Sequence, residues 1–425
     1  ELTRCVEHTP RKRPTMAQRQ LQRPMSTSSS GAPSLRKFST SAAAVTEDDG
    51  KHTPYGEDGS GFYSEATKGC YDVIANAKPM VIEALDRALA ARRATGAAAQ
   101  NAVFTVADFG TADAGTSMPL MRDVVQAIRA AEGPMTPIVV AYEDQTENDW
   151  NSVFRRVHGI LQGADASFMD AGDPRVFAHA VGTSFYQPCF PAGTLDLAFS
   201  ATAMHWLSTA PGSIPDALHS ACTQDAAALA AYEAQAARDW QHIMEQREKE
   251  LKAGGQIVLV NFAKDEDGQF LGRSVRMEES MHHTFSDIWK ELVTPEEFLA
   301  TNFPNQYRSL EATVAPFGTA IPSLQVVHAK TELVECPFYN SFNQKRDGYE
   351  FLNDPAGHAA NYVPTTRTWS NSTFLAGLSK TRPLRERQAL VDELFARYEA
   401  RVATQPGHHA MDYTHAYVHC EKPLP

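Results

Sequence analysis

Short continuous apolar runs alternate along the chain with stretches whose apolar residues recur at helical spacing. The run 103–107 is followed by Asp108, Gly110 and a loop of small residues, 111–117. A helical stripe comes next, formed by Met118, Leu120, Met121, Val124, Val125 and Ile128. Buried strands are predicted at 103–107, 137–142, 167–169, 194–199 and 256–262, and an alternating final strand at 413–420. Helices are predicted over 71–93, with Pro79 inside, and over 148–161, 215–252 and 384–402. Gly254 and Gly255 read as the C-cap that ends the long 215–252 region. Strands alternating with helices predict an α/β fold with a doubly wound, mainly parallel sheet.

That rhythm is lost between 266 and 365, where short helical pieces (285–292, 295–300) lie among Pro, Asn and aromatic residues. This stretch is expected to be a mainly helical substrate cap. The core is then 49–265, and 366–425 supplies the helix and strand that complete it. Residues 1–48 stand apart, rich in Arg and Ser and poor in acids. Such composition suits a mitochondrial or plastid transit segment, or a disordered tail carrying no address; without an address the expectation is the cytoplasm.

Composition narrows the classes. The 425 residues carry a net charge of −12, so no basic surface for nucleic acid is expected. No stretch approaches the roughly 20 apolar residues of a membrane helix. The 6 cysteines are scattered without a Cys-x-x-Cys pair, so neither a zinc site nor a disulfide framework is indicated. No metal ligands are assigned. His282-His283 and His408-His409 are adjacent pairs whose side chains diverge, and they read as surface histidines.

The loop after the first strand opens a nucleotide-type site, or is an ordinary strand-to-helix turn. It has neither the phosphate-loop spacing nor Gly-x-Gly-x-x-Gly, which speaks against an NAD-type oxidoreductase. The Glu143-Asp144 pair at the end of the second strand is placed to accept hydrogen bonds from ribose hydroxyls.

Several motifs in order make a resemblance specific. The loop Asp108-Phe109-Gly110 with Gly115-Thr116-Ser117 resembles motif I of S-adenosylmethionine (SAM) dependent methyltransferases. Tyr63 stands ahead of Lys78-Pro79, and Asp144 is followed by Asn148-Asp149-Trp150-Asn151. Gly182-Thr183-Ser184-Phe185-Tyr186 precedes Phe190-Pro191, then His205-Trp206-Leu207-Ser208, and finally Leu394-Phe395-Ala396-Arg397-Tyr398. This ordered set resembles the plant-type SABATH carboxyl methyltransferases over about residues 63–420. Those enzymes methylate salicylate, benzoate, jasmonate, indole acetate and some xanthine alkaloids.

The resemblance implies a class I, Rossmann-like methyltransferase sheet with an antiparallel final strand, SAM as methyl donor, and a homodimer. Asp108 and Gly110 would line the methionine half of SAM, and Asp144 the ribose. Gln145, Ser184 and Phe185 would lie at the adenine, with Tyr63 closing the site. Trp206 matches the Trp that holds the substrate carboxylate beside a Gln, but the Gln position is Cys70, a weak donor. The carboxylate clamp is then halved, or a neighbour such as Tyr71 or His205 takes part. Trp206 and His205 are therefore the catalytic candidates, and Cys70, Tyr71, Tyr186, Trp206 and Phe317 the substrate-lining ones.

The expected activity is methylation of a small carboxylic acid at its oxygen. The missing Gln leaves S-methylation of a thioether acid, giving a sulfonium compound, as the alternative. His205 as base for a hydroxyl or amine acceptor, and a SAM-fold protein without turnover, also remain open.

Overall fold

The protein is described by a computed structural model over residues 55–161, 167–169, 171–343 and 353–425. Residues 1–48, read as a targeting segment, lie outside the described residues. In chain order the elements are α1 (Phe62–Ala66), α2 (Lys68–Ala94), β1 (Phe104–Phe109), α3 (Met118–Glu132), β2 (Ile138–Asp144), α4 (Trp150–Val157), β3 (Val176–Gly182) and β4 (Leu195–Ala201). Then follow α5 (Ala226–Glu250), β5 (Leu251–Phe262), α6 (Met281–Leu292), α7 (Pro295–Ala300), α8 (Leu310–Val314), β6 (Gln325–Val334) and α9 (Pro337–Asn343). The last three are α10 (Pro355–Gly377), α11 (Leu384–Thr404) and β7 (Tyr413–Glu421).

β1 is buried throughout because it is central and covered on both faces. Its alternate side chains enter different cores. Phe104 and Val106 pack with α2 and α3, while Ala107 and Phe109 pack with Trp240, Ile243 and Met244 of α5. The sheet has 7 strands in the order β3-β2-β1-β4-β5-β7-β6. β1 to β5 pair in parallel, and β7 runs antiparallel to both β5 and β6. The doubly wound sheet and its antiparallel final strand are as the sequence implies.

Four element-level expectations need correction. Residues 167–169 form a turn, and the edge strand is β3. β3 hides only part of its length, so its apolar signal is diluted. β6, the opposite edge, was missed for the same reason and falls inside the supposed cap. The helical region 215–252 is confined to α5, and Gly254-Gly255 lies inside β5 instead of capping a helix. Gly254 has φ +81°, and a Cβ there would sit 2.3 Å from Ala91 of α2, so the strand crosses the helix at a bare Cα. α10 carries Pro364 and many Ser and Thr residues and shows no apolar stripe, because it is buried on most sides. Its hydroxyls bond back to the helix, as Thr366 to the Val363 carbonyl (2.8 Å) and Ser370 to that of Thr366 (2.6 Å).

Among the described residues, no helix is long and apolar enough to cross a membrane.

Candidate functional site

The register brings the candidate residues to the carboxyl ends of the parallel strands, where α/β sheets bind ligands. Asp108 near the end of β1 pairs with Tyr142, and Asp144 at the end of β2 pairs with Gly182. Asp108 is buried and accepts from the hydroxyls of Ser117 (2.6 Å) and Thr111 (3.1 Å). Asp144 accepts from the backbone N–H groups of Ala112 and Gln145, both at 2.8 Å. Loss of water pushes the Asp108 carboxyl up to about 7 and that of Asp144 up to about 6, against the pull of these donors. No basic side chain reaches either carboxylate among the described residues. Two desolvated acids without a counter-charge suit a cationic ligand.

The loop between them is held in one shape. Gly110 has φ +71°, and a Cβ there would lie 2.2 Å from Ala203. Its N–H donates to the Glu143 carbonyl at 2.9 Å. Ala112 and Ala114 adopt left-handed φ values of 49° and 61°, which cost about 1–2 kcal/mol each. Asn148 offsets part of this by donating to the Ala112 carbonyl (2.7 Å).

Glu143 turns away from Asp144. It is fully buried and takes a second bond from the Gly110 N–H (3.2 Å), and its carboxyl is pushed up by loss of water and by the charge of Asp144, which Arg247 only partly opposes. Arg247 in turn donates to the carbonyls of Phe185 (2.7 Å) and Gln187 (3.0 Å), fixing the loop that carries Ser184 and Phe185.

A clasp brings the N-terminal segment over this loop. Asp113 accepts from the Ser64 N–H (3.1 Å) and hydroxyl, and pairs with Arg156 at 3.0 Å. Arg156 also donates to the Gly61 carbonyl (2.6 Å), and the Gly61 N–H to the Ser152 hydroxyl (2.8 Å). Asp113→Asn is expected to loosen the clasp, because the amide gives up the ion pair with Arg156. Hydrogen exchange at the Ser64 amide should then quicken at least tenfold, about the worth of one such bond; unchanged exchange would mean the clasp does not hold the segment.

Tyr63, carried by α1, borders a cavity of about 470 Å³, solvent at its mouth included. Its walls are aromatic and neutral, with no Asp, Glu, Lys or Arg among the lining residues. Tyr63, Cys70, Trp369 and Tyr413 line it together with His205, Trp206, Phe262 and Tyr307, and the Phe262 and Tyr413 rings stack at 6.2 Å. The loop bearing His205 and Trp206 is tied down by Gln306 N–H to the His205 carbonyl (3.1 Å) and by the Tyr186 hydroxyl to the Trp206 carbonyl (2.7 Å). Asn305 is oriented from behind by His219. The His219 Nδ1 accepts from the Ala221 N–H, so its Nε2 carries the proton and donates to Asn305 Oδ1 at 2.5 Å.

Residues 52–422 match the sequence model of the SAM dependent carboxyl methyltransferases. The chain belongs to that family. Loganic acid O-methyltransferase of Catharanthus roseus is 27% identical over 228 residues, 49% of this chain and 55% of that protein. Indole-3-acetate O-methyltransferase 1 of Arabidopsis thaliana is 28% identical over 171 residues, 37% of this chain and 44% of that protein. The chain thus spans about half the length of these two relatives. Gibberellic acid methyltransferase 2 of Arabidopsis thaliana is 24% identical over 325 residues, 70% of this chain and 77% of that protein. A solved loganic acid methyltransferase with SAH has the same fold, with a TM-score of 0.66 at 18% identity, covering 88% of this chain and 99% of that one. No thioether acceptor appears in these names, and the thioether alternative finds no support.

For a SAM dependent carboxyl methyltransferase, the expected residues fall into two groups. Asp108, Gly110, Asp144, Gln145, Ser184 and Phe185 gather at the strand ends. Tyr63, Cys70, His205 and Trp206 line the cavity. Tyr71 and Tyr186 do not line it. Phe317 is not brought there either; it packs edge-on to Trp240 at 6.2 Å in the core beneath α5. The histidine pairs are corrected too. His282 and His409 are buried, His283 closes the capping box of α6, and only His408 is exposed. Sequence reasoning missed Asp113, Arg156, Tyr307 and Tyr413. The first two are distant in the chain from what they hold, and the tyrosines read as ordinary core.

Proposed function

We propose that the protein esterifies the carboxylate of a small, largely apolar acid with the methyl group of SAM. The observation that carries this reading is that Tyr63 joins two environments: it borders the neutral aromatic cavity and lies within electrostatic reach of Asp144, one of a pair of buried, uncompensated carboxylates. The residues fit the donor. Asp108 and the Gly110 turn suit its cationic methionine half, Asp144 its ribose hydroxyls, and the Ser184–Phe185 loop with Gln145 its adenine. When bound, SAM supplies a methyl group activated on a sulfonium.

The chain's own contribution is placement and exclusion of water. A carboxylate acceptor is ionised at neutral pH and needs no general base. A cavity without charged walls strips its hydration, and fixed aromatic rings orient it, an effect worth several kcal/mol. The same walls offer no partner to a second charge, which favours a monoacid with an apolar body.

The test uses purified protein, SAM labelled in the methyl group and a panel of aromatic, terpenoid and fatty acids. Mild alkali should release the label as methanol, the mark of a methyl ester. Label retained in a cationic product, or no transfer to any acid, would overturn the reading.

A further inference from the structure

One polar atom in the cavity wall is not accounted for by the fold. Tyr413 opens β7, is 1% exposed and lines the cavity, and its hydroxyl has no hydrogen-bond partner among the described residues. Buried hydroxyls are nearly always paired, so an orphan facing a cavity points to a ligand that accepts from it. Its surroundings are unlike those of a stray core tyrosine. The ring end presses on the first turn of α2 at Gly69, where a Cβ would lie 2.4 Å from the Tyr413 oxygen. The dipole of a 27-residue helix starts there, which favours negative charge at this spot.

The neighbouring groups cannot serve as well. The Tyr63 hydroxyl is engaged with the Cys70 sulfur, and the Cys70 thiol, pushed up to about 12 by burial, stays a weak, neutral donor. We propose that the Tyr413 hydroxyl donates to the carboxylate of the acceptor acid and sets its position in the cavity. This assignment rests on the carboxyl-methylating reading above.

Tyr417, two residues on along β7, provides the control. It is equally buried, but its hydroxyl donates to the Val73 carbonyl at 3.3 Å. Tyr413→Phe and Tyr417→Phe are compared with the wild type, at saturating SAM, on the acid that the wild type esterifies best. Methylation neutralises the carboxylate, so a donor to it binds the ground state at least as well as the transition state. Tyr413→Phe should therefore raise KM roughly 10- to 100-fold and leave kcat within about twofold. Without ligand its Tm should be unchanged or higher, because an unpaired buried hydroxyl is removed. Tyr417→Phe should lower Tm and leave KM alone. A KM within twofold of wild type in Tyr413→Phe, or an equal rise in Tyr417→Phe, overturns the assignment. Absence of any ester from the wild type overturns the underlying reading and the assignment with it; ester formation with an unmoved KM overturns the assignment alone.

Discussion

Asp108→Asn should lower kcat/KM for SAM by about 10²- to 10³-fold with little change in the unfolding midpoint. The carboxylate is the end point of a strand whose fold is set elsewhere, and its two hydroxyl partners, Ser117 and Thr111, can still bond an amide oxygen. What disappears is the negative charge facing a cation in a place without water, where a charged hydrogen bond is worth about 1.5–3 kcal/mol plus the longer-range attraction. The pH dependence should reveal the same charge. The acids at 108 and 144 are raised to about 7 and about 6. A raised carboxyl favours the ligand-free fold at low pH, below its unfolded value near 4, and that contribution is lost as pH rises through 6 and 7. The cationic half of SAM favours an ionised Asp108 and its ribose hydroxyls favour an ionised Asp144 as acceptor, so SAM must displace both protons at low pH. SAM affinity measured by calorimetry should climb from pH 5.5 to about 8 and then level, and SAM should raise Tm more at pH 8 than at pH 5.5. In Asp108→Asn the upper part of that climb should vanish. An affinity independent of pH in the wild type would mean that these carboxylates do not contact SAM.

What could be read from the chain beforehand follows from how each feature is built. β1, its glycine loop and α3 were legible because a central strand, a turn needing positive φ and an amphipathic helix each leave a local signature. β3 and β6 were not, since an edge strand needs apolar residues on only part of its surface. α10 hid because full burial erases amphipathicity and its hydroxyls are satisfied within the helix. In the site, the acids at strand ends were legible from position alone. Asp113 was not, because its meaning depends on Ser64 and Arg156, 49 and 43 residues away. Phe317 was misplaced since an aromatic residue in a cap-like stretch carries no sign of which core it enters. Tyr413 looked like one more inward residue of an alternating strand, and only the missing partner of its hydroxyl sets it apart.

At the opposite end of the sheet, Arg92→Leu should cost about 3–5 kcal/mol of stability and leave the KM of the folded fraction unchanged. Arg92 leaves α2 with its side chain 4% exposed and divides its donors among three elements. It bonds Glu132 of α3 through Nε (2.7 Å) and Nη2 (3.0 Å), Asp196 of β4 at 3.1 Å, and the carbonyls of Ala102 (2.6 Å) and Val103 (3.2 Å) just before β1. Asp196 has other support, from Lys252 (2.6 Å) and the Thr105 N–H (2.8 Å), but Glu132 has none of that kind among the described residues and would be left as a buried charge. The loss is thus mainly the desolvation of an abandoned carboxylate. Removing that carboxylate as well should restore much of the stability, so Arg92→Leu/Glu132→Leu is expected to unfold at a higher urea concentration than Arg92→Leu alone. If the double variant is no better than the single, the staple holds through the Arg92 guanidinium over the Phe104 ring (4.9 Å) and its bonds to backbone carbonyls, and not through the ion pair with Glu132. The two substitutions together separate the ends of one sheet. The amino ends of the strands are held by a satisfied ion network, and changes there move stability. The carboxyl ends carry charges left unpaired by the fold, and changes there move binding.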